Sequence, residues 1–184
     1  VDSKISLGDR VDFTLEGNPS MLDAIKRLKG RFRIEHTDRD GNLIGEYEMD
    51  NGITTGGKNS LLNTFFNNTT PPVTWYFGVV DNSGFSAFTD ATDTMSSHSG
   101  WNEFTNVSGN RVAWGNGSAS SASITNGTAA TISITGSGTL KGIFVTTVNT
   151  VGGTTGVLWS TAAFSSTVNV NNGDNLKITY TVNC

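Results

Sequence analysis

Asn175-Leu176-Lys177-Ile178-Thr179-Tyr180-Thr181-Val182 alternates without a fault. Leu176, Ile178, Tyr180 and Val182 fall on one side of an extended chain, and Asn175, Lys177, Thr179 and Thr181 on the other. Period two is the mark of a half-buried strand. Working back from this strand, shorter signals of the same kind recur at Arg111–Trp114, Ala122–Thr125, Ala129–Thr135, Thr139–Val148, Gly156–Ser160 and Thr167–Val170. Asn126-Gly127 and Asn172-Gly173 read as tight turns between consecutive strands. Thr74–Val80 is apolar on both faces and reads as a central strand. Seven or more short strands punctuated this often predict a mainly β chain, an antiparallel β-sandwich of which the jelly roll is one arrangement.

From Gly115 to Cys184, 41 of 70 residues are Ser, Thr, Gly or Asn. The interleaved Val, Ile, Leu and Phe argue for a packed body there and against disorder.

The other end of the chain is written differently. Residues 1–50 carry 19 of the 28 charged side chains, 8 basic and 11 acidic. Residues 1–17 show no period and read as an extended arm. Asn18-Pro19 then opens a short helix, with Asn18 as cap and Pro19 at the first helical position. Leu22, Ile25 and Leu28 share its apolar face, and Gly30 stands as its stop. The predicted organisation is an arm and helix over residues 1–30, then a body over residues 31–184. The body opens with a hairpin: Phe32, Ile34 and His36 alternate with Arg31, Arg33 and Glu35, Asp38–Asn42 has turn chemistry, and Leu43–Met49 returns. A second short helix is predicted over Lys58–Phe66. Its apolar stripe is Leu61, Leu62, Phe65 and Phe66, and so short a helix is marginal alone, so it is expected to pack on something. Residues 81–110 form a long polar connection anchored by Phe85, Phe88, Trp101 and Phe104.

Several functions are disfavoured by composition. The formal net charge is −4 and that of the first fifty residues is −3, so neither nucleic acid nor an anionic membrane is an expected partner. No run approaches the ~20 apolar residues of a membrane span, and residues 1–7 lack the apolar core of a secretory leader. Cys184 is the one cysteine, which rules out an intrachain disulfide and reads as a free thiol. His36 and His98 have no second His or Cys at ligand spacing, so no metal and no cofactor are expected. Ser96-Ser97-His98-Ser99 lacks the strained elbow of a nucleophilic serine. Asp81, Asp90, Asp93 and Glu103 are the only acidic residues between 51 and 173. Turn capping is the expected role for them, ahead of a cation site or catalysis. The chain is therefore expected not to be an enzyme. One basic cluster, Lys26, Arg27, Lys29, Arg31 and Arg33, is a candidate for binding a protein partner, with solvation beside Glu35, Asp38, Asp40, Glu46 and Glu48 as the alternative.

A set of motifs carries a resemblance: Arg31–His36 with Asp40-Gly41-Asn42, Trp75–Asn82, Asp93–Phe104 and Gly152–Trp159. Over roughly residues 31–182 the chain resembles small virion structural proteins of tailed bacteriophages, of the head decoration, cement or fibre-like kind. The resemblance implies a capsid decoration or cement protein that binds the assembled head shell and stabilises it. Its partner would be the major capsid protein or another virion protein. It also implies location in the virion after assembly in the bacterial cytoplasm, and a homo-oligomer, with the trimer as first choice. The alternative is a tail-associated or receptor-binding module that recognises a host surface glycan. An exposed aromatic platform flanked by carboxylates or amides would favour that alternative.

Overall fold

The computed structural model describes residues 28–184. Ten strands and one helix follow in order: β1 (Lys29–Thr37), β2 (Leu43–Ile53), α1 (Thr55–Phe66), β3 (Tyr76–Asp81), β4 (Asn102–Glu103), β5 (Val112–Ala113), β6 (Ser123–Thr125), β7 (Ala130–Ser133), β8 (Gly138–Thr146), β9 (Leu158–Val170) and β10 (Asn175–Asn183). All pairings are antiparallel. One sheet runs β2–β1–β10, with β6 and β7 both on the far edge of β10. The other runs β9–β8–β3, with β4 and β5 both on the far edge of β3. Strand β2 joins them: most of it pairs with β1, while Gly52 and Ile53 pair with Thr161 and Ser160 of β9.

The two sheets lie face to face over one core, so the predicted sandwich is what forms. Phe32 of β1 stacks on its ladder partner Tyr180 of β10, ring centroids 4.2 Å apart. Phe77 of β3, from the opposite sheet, meets both edge-on at 6.1 Å. Ile34, Leu176 and Ile178 continue this layer from one side, and Val79, Ile143, Val145 and Phe164 from the other. The hydroxyl of Tyr180 is a hub within it. It accepts from Asn51 Nδ2 at 2.7 Å and Trp159 Nε1 at 2.9 Å, and lies 3.3 Å from Ser160 Oγ. Burial pushes its pKa up to about 12.

The two outer faces differ. That of β1 and β2 is wet and charged. That of β3 and β8 is covered by the connection between β3 and β5, where Met95, Trp101, Phe85 and Phe88 close over Val80, Phe144 and Leu158. Arg111 fastens the end of this cover. Its Nε and Nη2 each donate to the Glu103 carboxylate at 2.8 Å, and its Nη1 and Nη2 donate to the carbonyls of Val148 and Gly153 at 2.9 Å. The guanidinium also stands 5.2 Å from the Phe144 ring centroid.

Three sequence expectations need correction. Gly156–Ser160 and Thr167–Val170 are not separate strands; they are the ends of the 13-residue β9. The Ser, Thr and Ala residues between them continue the strand: Ser160–Ala163 and Val168–Val170 pair with β8 on either side of an irregularity at Phe164–Thr167, and Ala162, Phe164 and Val168 are buried. Asn126-Gly127 is not a hairpin turn, because β6 and β7 do not pair with each other. Both pair with β10, and Asn126 fills the gap between them. Its Nδ2 donates to the carbonyls of Ile178 and Thr128 at 2.9 Å, and its Oδ1 accepts from Tyr180 N–H at 2.8 Å. The side chain thus replaces a missing piece of ladder.

Gly30 is not a helix stop, and Lys29 is not the last residue of a helix: both belong to β1, so the body begins at Lys29. Glycine is needed at position 30 because a Cβ there would lie 2.5 Å from both Tyr180 Oη and Asn51 Oδ1. The expected arm over residues 1–17 and the helix opened by Asn18-Pro19, up to residue 27, lie outside the described residues.

Candidate functional site: an apolar groove and a phenylalanine tip

Helix α1 starts where a cap dictates. Thr54 is buried, and its Oγ1 accepts from Gly57 N–H at 3.0 Å while donating to the Leu158 carbonyl. Gly57 rests directly on β9; a Cβ would come within 2.6 Å of the Trp159 carbonyl oxygen. This bonds the first turn to the body, and Gly57 is the only buried residue of the helix. Among the described residues nothing covers its apolar stripe. Leu61 and Leu62 are 44% and 51% exposed, Phe65 and Phe66 80% and 74%. The two phenylalanine rings pack edge-to-face on each other at 5.0 Å. Beyond the Asn67 cap, Val73 is 97% exposed. The helix is held at its N-terminal end and carries the phenylalanine pair outward at the other.

Beside α1 lies a groove of about 340 Å³. Leu28, Leu61, Pro72, Trp75, Trp159 and Val182 supply much of its wall, and none of the described residues that line it is charged. Trp114 is a further part of that wall. Two of the three indoles direct their N–H groups into the protein: Trp114 Nε1 donates to the Tyr180 carbonyl, and Trp159 Nε1 to the Tyr180 hydroxyl. Trp75 packs against Trp159 at 5.4 Å. The wall is mainly carbon surface, with Ser60, Thr64, Asn116, Ser123 and Asn183 as its hydrogen-bonding side chains.

The basic cluster divides. Lys26 and Arg27 lie outside the described residues. Lys29, Arg31 and Arg33 are exposed on β1. Arg31 is bonded to Glu48, and that bond with the nearby negative charge raises its pKa. Arg33 lies 3.1 Å from Glu46 and 3.5 Å from Glu35. These arginines therefore stand in a cross-strand ladder with carboxylates, a mixed-sign surface in place of a basic patch.

The carboxylates of the cover and the two histidines each have a structural partner. Asp81 accepts from Ser83 N–H, and Asp90 from Thr161 Oγ1 at 2.8 Å. Asp93 accepts from Thr89 N–H and Trp101 Nε1, and Glu103 holds Arg111 and Gly152 N–H. His98 stacks on Trp101 at 3.7 Å, with Nδ1 donating to the Trp101 carbonyl. His36 is buried, and its Nε2 donates to Asp174 at 2.9 Å. Among the described residues, no group of three His, Cys, Asp or Glu side chains is placed to hold a metal ion, and no helix is long and apolar enough to cross a membrane.

No model of a known protein family matches the sequence, and no curated protein is significantly similar to it.

Sequence reasoning missed the groove because its wall comes from segments far apart in the chain, which no local periodicity connects. The usable signal was Phe65-Phe66 followed by Asn67-Asn68-Thr69-Thr70-Pro71-Pro72, a polar, proline-ended run that provides nothing for the phenylalanines to pack on.

Proposed function

We propose that this chain is a non-enzymatic structural protein of a bacteriophage virion. In this reading it is a decoration or cement protein that binds the assembled head shell and stabilises it, and it works as a closed homo-oligomer, a trimer. The observation that carries an interaction role is the phenylalanine tip of α1, since soluble monomers seldom present adjacent aromatic side chains this bare. The phage assignment rests on the resemblance over residues 31–182. The engagement of Asp90, Asp93, Glu103 and His98 in fixing the cover supports a scaffold in place of a reaction centre. Glycan recognition fits the groove less well, because Trp114 and Trp159 are buried in its wall and do not form an exposed aromatic platform.

The test is direct. Particles purified from a culture that makes this chain are labelled with antibodies against it. Dense labelling over the head is the expected result. Labelling confined to the tail moves the assignment to the receptor-binding alternative, and absence from particles ends both. With shells lacking this protein in hand, the double variant Phe65→Asp, Phe66→Asp is expected to bind about tenfold more weakly or worse, as for loss of a central aromatic contact.

A further inference from the structure

We propose that the outer edge of β2 docks an extended segment of another protein, one that carries basic side chains at alternate positions. Such docking would operate whether or not the protein decorates a shell.

The backbone sets the geometry. Thr54 N–H donates to the Trp159 carbonyl at 2.9 Å, so the backbone of residue 54 faces β9. Successive residues of a strand turn their N–H and C=O groups to opposite sides. The β1–β2 register is unshifted from Gly30–Asn51 to His36–Gly45. Gly45, Tyr47 and Met49 therefore bond to β1, whereas Glu46, Glu48 and Asp50 aim their backbone groups away from it. On that side β9 meets β2 only at Gly52 and Ile53. Among the described residues, no backbone partner reaches Glu46, Glu48 or Asp50 there. Donors and acceptors left open at strand spacing are completed by one more strand.

The inner row beside this edge is also unfinished. Tyr47 is only half-buried, with its ring edge-on to Phe164 at 5.3 Å. An added strand would lay every second side chain over that ring, on the side where β2 and β9 part.

Charge selects the occupant. Glu46, Glu48 and Asp50 are exposed on the outer row. Arg31 and Arg33 are shared among them and Glu35, and even with Lys177 opposite Glu35 the carboxylates outnumber the cations. In an antiparallel ladder, residues that face each other's backbone also share a face of the sheet. A second copy added edge to edge would therefore set the same three carboxylates opposite these, which is repulsive. Lysine or arginine at alternate positions would instead meet a carboxylate at each bonded pair, with apolar residues between them over Tyr47.

Amide exchange read by NMR on the full chain tests this. In the free protein the amides of Glu46, Glu48 and Asp50 should exchange at least about tenfold faster than those of Gly45, Tyr47 and Met49. An eight-residue peptide alternating lysine and valine, at about 1 mM, should slow the first set and leave the second unchanged. A peptide of the same composition with all its lysines before its valines should slow neither. Glu46→Lys, Glu48→Lys together, both at exposed positions, should lose the lysine–valine peptide and accept one alternating glutamate and valine. Protection of Glu46 and Glu48 in the free chain would overturn the proposal: kept on dilution, it would assign the edge to the chain's own residues; lost on dilution, to a second copy. No protection by the alternating peptide, equal protection by both lysine peptides, or an unchanged preference in the charge-reversed variant would overturn it as well.

Discussion

On the outer side of β1 and β2, Arg31, Arg33, Glu46 and Glu48 stand exposed in water. On the outer side of β3 and β8, Val80 and Phe144 lie fully buried under Trp101, Phe85 and Phe88. The same sandwich thus has one face finished by charge and the other by a folded cover. Charge needs only alternation along each strand. A cover needs long-range fasteners, and Arg111 is the main one, because its guanidinium is buried against Glu103 and three segments meet on it. One face should therefore be insensitive to single substitutions and the other fragile.

The sharpest way to break this contrast is Arg111→Ala. It leaves Glu103 buried without its cation and is expected to cost about 3–5 kcal/mol, the range for halving a buried ion pair. Urea unfolding measures it. A loss below about 1 kcal/mol would mean that the cover is not held as described. The next effect lies in the layer shared by both sheets. Unfolded tyrosine ionises near 10, whereas Tyr180 holds its proton up to about 12. Above pH 10 the unfolded chain therefore releases a proton that the native chain keeps, so stability falls as pH rises, by about 2–3 kcal/mol across that window. Tyr180→Phe should flatten this alkaline limb, though its own baseline stability drops because Asn51 and Trp159 lose an acceptor. The smallest effect belongs to the charged face. A double-mutant cycle on Arg33 and Glu46 should return a coupling below about 1 kcal/mol that shrinks further in salt. A coupling near that of Arg111 would erase the contrast.

The same contrast explains what could be read from sequence. The β1–β2 hairpin and β10 were legible because each has one wet face, which writes period two into the chain. β3 was legible because burial on both faces leaves a continuous apolar run. The cover showed only as a polar stretch with scattered aromatics; the partners of Trp101 and Arg111 are set by tertiary approach, which no local pattern records. β9 was split because its outward Ser and Thr imitate a loop. The α1 stripe was legible but its partner was not, since a pattern marks a surface as apolar without saying what covers it. Of the candidate partner-binding cations, Arg31 and Arg33 were recognisable as charges, but their pairing with Glu48 and Glu46 depends on ladder register.

Asn126 also bears on how the protein ages. An asparagine followed by glycine is prone to cyclise to a succinimide and reopen as aspartate or isoaspartate, because glycine leaves its nitrogen unshielded. The chain has four such pairs, beginning at Asn51, Asn116, Asn126 and Asn172. Asn116 and Asn172 are exposed, and Asn51 is held through one bond to Tyr180. Asn126 is buried and bonded at both ends of its amide. Storage should therefore convert Asn116 and Asn172 first, with Asn126 surviving for as long as the edge of β10 stays closed. Once converted, residue 126 can no longer donate to Ile178 and Thr128, and that edge does not re-form. Peptide mapping of aged samples would read the sequence of events, with Asn126 as a record of whether a given molecule has ever come apart.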